Sequence, residues 1–142
     1  MSPYIILDLC LINIIKKLIL LKKKIFLYIS YKTDNLYIQG VSLIFLKILM
    51  NYNIKIYFLN IGFFHRKIYI FDDLYILFGS NNFDIRSIYI NQECLIFLSD
   101  KIFKKLFFKK LKNNLLNFLY YKKKFFYIKF FYIVSFLNYY FQ

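Results

Sequence analysis

Only Asp72 and Asp73 separate two short runs, RKIYIF at 66–71 and LYILFG at 74–79. Both runs are dense in β-branched and aromatic side chains, so the spacing predicts a tight antiparallel hairpin. Such a hairpin returns the end of the second strand to the start of the first. Residues that the chain uses almost nowhere else surround that meeting point. The only His (His65), the only Glu (Glu93) and both Arg (Arg66, Arg86) fall within positions 63–93.

Those polar residues can act together. Alternate side chains of a strand share a face, so His65 and Lys67 point the same way with Cα atoms ~6.6 Å apart. That pair can grip a phosphate. Lys67 supplies positive charge for phosphoryl oxygens, while the imidazole of His65 can attack phosphorus or donate to a leaving oxygen. Gly79-Ser80-Asn81-Asn82 follows the second strand, where glycine permits close approach and Ser80 and Asn82 offer neutral donors. Glu93 can accept from the second ring nitrogen of His65 and fix its tautomer. Taken singly, a lone His beside an apolar strand is most often structural, and GSNN is an ordinary turn.

The rest of the chain alternates helix and strand. The periodicity and turn signals predict a helix over 8–22, a strand over 24–29, a helix over 38–51 and a strand over 54–59. A third run of the hairpin region, ECLIFL at 93–98, precedes Ser99-Asp100, which supplies an N-cap oxygen for a helix running to about 120. The expectation is an α/β domain, a mixed β-sheet flanked by helices, over 1–121. A basic, then aromatic, tail at 122–142 suits the edge of a bilayer. No internal repeat or Gly/Ser-rich linker divides the chain.

Composition adds limits. A formal charge of +14 favours a polyanionic partner, nucleic acid or an anionic membrane, although a chain without Ala or Trp and rich in A/T-codon residues carries Lys for other reasons too. Lys interrupts every apolar stretch, so no run of 18 uncharged apolar residues forms a spanning helix. Asp8 inside the first apolar stretch, with no basic region before it, argues against a secretory signal. Cys10 and Cys94 lack CxxC spacing and are expected to be buried small hydrophobes in a reducing compartment.

The spacing of His65, Lys67, Asp72, Gly79, Ser80 and Asn82 resembles the HxKxxxxD…GSxN signature of the phospholipase D superfamily without insertion. Asp84-Ile85-Arg86-Ser87 and Asn91-Gln92-Glu93 are similar to the DxRS and NxE segments of its bacterial cardiolipin synthases. Ser2-Pro3-Tyr4 looks like the TPYF element that opens their second half, and Thr33-Asp34 falls where they carry an SD pair. Arg66, Asp73 and Asn81 depart from the usual pattern. The resemblance implies a phospholipase D-like half with catalytic His65, Lys67 and Asp72, supported by Ser80, Asn82 and Glu93. It implies no metal and no cofactor, and a second HKD half supplied by another chain or another copy. The implied reaction transfers a phosphatidyl group between two phosphatidylglycerol molecules through a phosphohistidine, peripherally at the cytoplasmic side of a bacterial inner membrane. Two rivals stand beside it: a homodimeric phosphodiesterase cutting nucleic acid, and a non-catalytic membrane-associated remnant.

Overall fold

The computed structural model describes residues 1–30, 35–52, 54–59, 64–72, 74–115 and 118–120. Within them the chain runs β1 (Ile5–Ile6), α1 (Leu9–Leu20), β2 (Phe26–Ser30), α2 (Leu36–Met50), β3 (Lys55–Leu59), β4 (Lys67–Phe71) and β5 (Tyr75–Gly79). It continues through β6 (Phe83–Asp84), α3 (Ile85–Tyr89), β7 (Leu95–Leu98), α4 (Lys101–Leu115) and β8 (Phe118–Tyr120). The α/β class is as expected, with its strands distributed over three small sheets. One is the parallel pair β1-β6, one the mixed sheet β2-β3-β8, and one the antiparallel sheet β4-β5-β7.

Local chemistry accounts for the helix starts. Asp8 accepts from the Leu11 N–H at 2.8 Å, Asn35 from Tyr37 and Ile38 at 2.9 and 3.2 Å, and Asp100 from Ile102 and Phe103, both at 2.9 Å. Each side chain satisfies donors that the first helical turn cannot pair internally. The principal core then forms where α1 and α2 lay Ile12, Ile15, Leu43, Leu46 and Leu49 against Ile29, Ile56 and Phe58 of the parallel pair β2-β3. Burying one such side chain fully contributes about 1.5–3 kcal/mol. A second cluster, Ile68, Ile76 and Leu111, joins α4 to one face of β4-β5-β7.

Several expectations change. Phe71 pairs with Tyr75, so the hairpin loop holds three residues rather than two, and Leu74 lies in the turn with its side chain exposed. Asp72 takes a left-handed φ of 49° there, a conformation that Asp tolerates better than most residues. The last helix ends at Leu115, and 118–120 form a strand antiparallel to β3 instead of its final turn. Both cysteines are exposed rather than buried. Cys10 follows from helix geometry, because at 100° per residue it sits opposite the stripe of Ile12 and Ile15. The 122–142 tail and the Thr33-Asp34 pair lie outside the described residues. Among the described residues, no helix is long and apolar enough to cross a membrane.

Candidate active site

The register of one sheet brings the site together. Lys67 lies opposite Gly79, and Gly79 opposite Leu95, so the residues just beyond these three ends share one edge. His65 precedes β4, Ser80 follows β5, and Glu93 precedes β7. Three segments that are distant in sequence thereby present an imidazole, a hydroxyl and a carboxylate at one end of a three-stranded sheet.

Lys67 is buried while His65 is exposed, and the Lys67 Nζ lies 2.9 Å from Nδ1 and 3.0 Å from Nε2 of the imidazole. The ammonium thus lies close to both ring nitrogens, where a phosphoryl oxygen bound to it would bring phosphorus within reach of one of them. A buried cation keeps more of its electrostatic strength than a solvated one.

The supporting residues behave differently from the expectation. Ser80 Oγ donates to Glu93 Oε2 in a short hydrogen bond and accepts from the Cys94 N–H at 2.9 Å, while the Ser80 N–H donates to the Cys94 carbonyl at 3.0 Å. A hydroxyl has one proton, and that of Ser80 is committed to Glu93. In this arrangement the Ser80 hydroxyl ties Glu93 to the Cys94 backbone. Glu93 receives a second hydrogen bond from Asn91 Nδ2 at 3.2 Å on Oε1. These bonds, from Ser80 first and then Asn91, hold its carboxyl below the usual range, with the Lys67 charge adding to the effect.

Asn82 donates to the Tyr4 hydroxyl at 3.0 Å, and its Oδ1 is buried without a hydrogen-bond partner. Buried polar atoms are rarely left so. Turning the amide over lets Tyr4 donate to Oδ1 and converts the orphan position into an unused N–H donor. Tyr4 was legible only as part of the N-terminal segment, not as a site residue; its role follows from β1 lying parallel to β6, with Ser2 Oγ accepting from the Phe83 N–H at 3.1 Å. Below the corner, Tyr69 donates to the Asn81 carbonyl at 3.0 Å. Burial raises its phenol, with the charges of Asp84 and Glu93 adding to the shift.

Asp72 does not join this group. It occupies the hairpin tip, and five strand steps of ~3.3 Å carry it roughly 16 Å from Lys67. Its partner is Lys23, 3.2 Å away, in an exposed ion pair. Motif spacing counts residues, whereas an extended strand converts that count into distance. Asp84 and Ser87 likewise have a structural duty: buried Asp84 caps α3 by accepting from the Ser87 N–H at 2.8 Å. Arg86 between them is exposed.

Glu93 offers a direct test, since a chain labelled with carboxyl-¹³C Glu gives one side-chain resonance. Its titration midpoint is expected below the ordinary value of about 4.3, and Ser80→Ala should raise it toward that value. Because the folded-state pKa is depressed, the group's contribution to stability is present above the ordinary pKa and is lost as pH falls through the folded one. An unchanged midpoint in the Ser80→Ala protein would remove the Ser80 hydrogen bond from the account.

The family described as "Cardiolipin synthase, PLD-like domain" matches residues 3–115, and the chain belongs to it, within the phospholipase D superfamily. No curated protein matches the sequence. Two solved structures share the fold. A phospholipase D family member, Nuc from Salmonella typhimurium, superposes with a TM-score of 0.69 at 15% identity, covering 87% of this chain and 80% of its own. NucT from Helicobacter pylori gives 0.64 at 19% identity, covering 84% and 79%.

Proposed function

We propose that this chain is one half of a cardiolipin-synthase-like phosphatidyltransferase. The observation that carries the reading is the Lys67 ammonium held against both nitrogens of His65 at the shared edge of three strands. In the proposed reaction a histidine nitrogen attacks the phosphorus of one phosphatidylglycerol, a P–N bond forms, and the P–O bond to glycerol breaks. A second histidine gives its proton to the departing glycerol alkoxide. It then takes the proton of an incoming phosphatidylglycerol hydroxyl, which attacks phosphorus and frees the first histidine. A single imidazole cannot hold phosphorus and protonate the leaving group at once. The chain's one His therefore requires a second, from another copy or from a companion half.

Lipid is the favoured substrate class because the family match is to the synthase domain and the NxE segment supplies Asn91 and Glu93 to the site. A peripheral membrane position is supported by α4, whose outer side interleaves exposed Ile102, Phe103 and Leu106 with Lys105, Lys109 and Lys110. The second reading, a homodimeric phosphodiesterase, is favoured by one observation. The fold matches about four-fifths of each solved neighbour, so those neighbours share it over most of their length.

Incubating the purified chain with phosphatidylglycerol vesicles or DNA, while sizing the active species, tests the proposal. Cardiolipin and glycerol produced by a two-half assembly are the expected result. DNA cleavage by a homodimer that leaves lipid untouched gives the second reading, and lipid transfer by a strict monomer refutes the two-histidine mechanism.

A further inference from the structure

β7 lies at the edge of its sheet. Among the described residues it pairs with β5 alone, so one side of its backbone meets no strand. Which groups lie on that side follows from the alternation of an antiparallel ladder. The Ser80 N–H donates to the Cys94 carbonyl and the Cys94 N–H to Ser80 Oγ, so Cys94 turns both backbone groups toward β5. Ile96 and Leu98 then do the same, whereas Leu95 and Phe97 aim theirs at the open edge. The side chains are bare on both faces. Leu95 and Phe97, on the face away from α4, are 40% and 57% exposed, and Ile96, on the other face, is 53% exposed. An uncharged apolar edge of this kind is a template for another strand.

We propose that β7 pairs antiparallel with the β7 of a second copy of this chain, joining their sheets across a two-fold axis. The partner is a strand, because a lipid surface or the side of a helix leaves the Leu95 and Phe97 backbone groups unpaired. That the strand is β7 itself follows from charge. The chain carries a formal +14, and LIFL carries none, so two copies meet here without the repulsion that opposes contact elsewhere. Symmetry then restricts the register, since an axis normal to the sheet pairs residues of the same face only. Centred on Phe97, the pairing lets that residue exchange both backbone bonds with its counterpart and sets Leu95 opposite Ser99. It also brings Glu93 of each copy toward Lys101 of the other. The Phe97 ring, stacked on Tyr75 with centroids 5.5 Å apart, gains its counterpart as a cross-strand neighbour. Centring on Ile96 instead would set Glu93 beside Asp100.

This contact is separate from the pairing that the two-histidine reaction requires. Each site lies at the Leu95 end of its own β7, so antiparallel strands hold the two sites at opposite ends of the joined sheet. The inference therefore stands or falls apart from the proposed function.

Amide hydrogen exchange of the full chain over a concentration series, with sizing in parallel, tests it. Protection of the Leu95 and Phe97 amides should rise together with mass, while Ile96 and Leu98 stay protected throughout. Phe97→Lys should weaken association by about tenfold or more, because two ammonium groups then face each other across the axis. Lys101→Glu should weaken it as well, by setting like charges against each other. Should Phe97→Lys fail to fold, the exchange pattern of the unmodified chain still decides. Leu95 and Phe97 amides that exchange freely at every concentration would overturn the interface, even where the chain associates, because that association is then the catalytic pairing alone. Protection of both amides in a species sized as a monomer overturns it too, since the edge is then covered within one chain.

Discussion

Turnover should fall by about a thousandfold in His65→Asn, and as far in Lys67→Met, with the partner half or second copy present. The two losses have different origins, which makes the pair informative. In the proposed reaction His65 bonds to phosphorus or moves the proton, and because it is exposed its replacement leaves packing intact. Binding of inorganic phosphate should therefore survive in His65→Asn. Lys67 is buried against the imidazole, and its replacement by an unbranched apolar side chain of similar length deletes the charge proposed to receive the phosphoryl oxygens. Phosphate binding should be lost together with rate. Thermal midpoints near that of the parent chain separate these effects from unfolding. Parent-like turnover in either variant would dismiss the pair as catalytic machinery.

Gly79→Ala is expected to damage both stability and activity, by a route that never touches a reacting group. A Cβ built on Gly79 would stand 2.0 Å from the Cys94 carbonyl oxygen, with the Leu95 Cα 3.1 Å away. Those neighbours are backbone and cannot rotate aside, so β5 and β7 must part at their site end. Overpacking of this kind costs about 1–3 kcal/mol. The carbonyl that is displaced is the one accepting from the Ser80 N–H, and the Cys94 N–H binds the Ser80 hydroxyl. Separation of the strands thus releases Ser80 from Glu93, and the Glu93 carboxyl should titrate closer to its ordinary value in the variant. A Gly79→Ala chain with the parent's thermal midpoint and an unmoved Glu93 resonance would show that the strands yield without cost.

Much of this site was legible because the signals lie where chain geometry is simplest. Two β runs with a short polar break predict a hairpin whatever the rest of the fold does, and the residues at its open ends must then meet. The hairpin brings His65, Lys67 and Ser80 together this way, whereas Glu93 reaches the same end from a third strand, β7. Asp72 was not placed correctly by the same logic, since a fixed count from Lys67 says nothing of direction along an extended strand. The two-residue strands β1 and β6 left no periodic trace, and their pairing joins Ile5 to Phe83, a separation that no local pattern encodes. For the same reason the Tyr4–Asn82 contact could not be read in advance. Ser80 was identified with the site, but its sequence context does not reveal that the Cys94 N–H donates to its oxygen or that its proton goes to Glu93.

The Ser2–Phe83 and Tyr4–Asn82 bonds have a bearing on the order of assembly during synthesis. Residues 1–59 can pair β2 with β3 through α2 and bury most of the principal core as soon as they leave the ribosome. The opening segment already has partners there, since the Ser2 N–H donates to the Tyr28 carbonyl at 3.1 Å and the Ile5 N–H to Ser42 Oγ at 2.9 Å, but its bonds to Asn82 and Phe83 wait until those residues emerge. At about 5–20 residues per second, those twenty-odd further positions delay closure by a second or more. During that interval Tyr4 waits for Asn82 on a nascent chain whose principal core can already be buried, and β7, α4 and β8 follow later still.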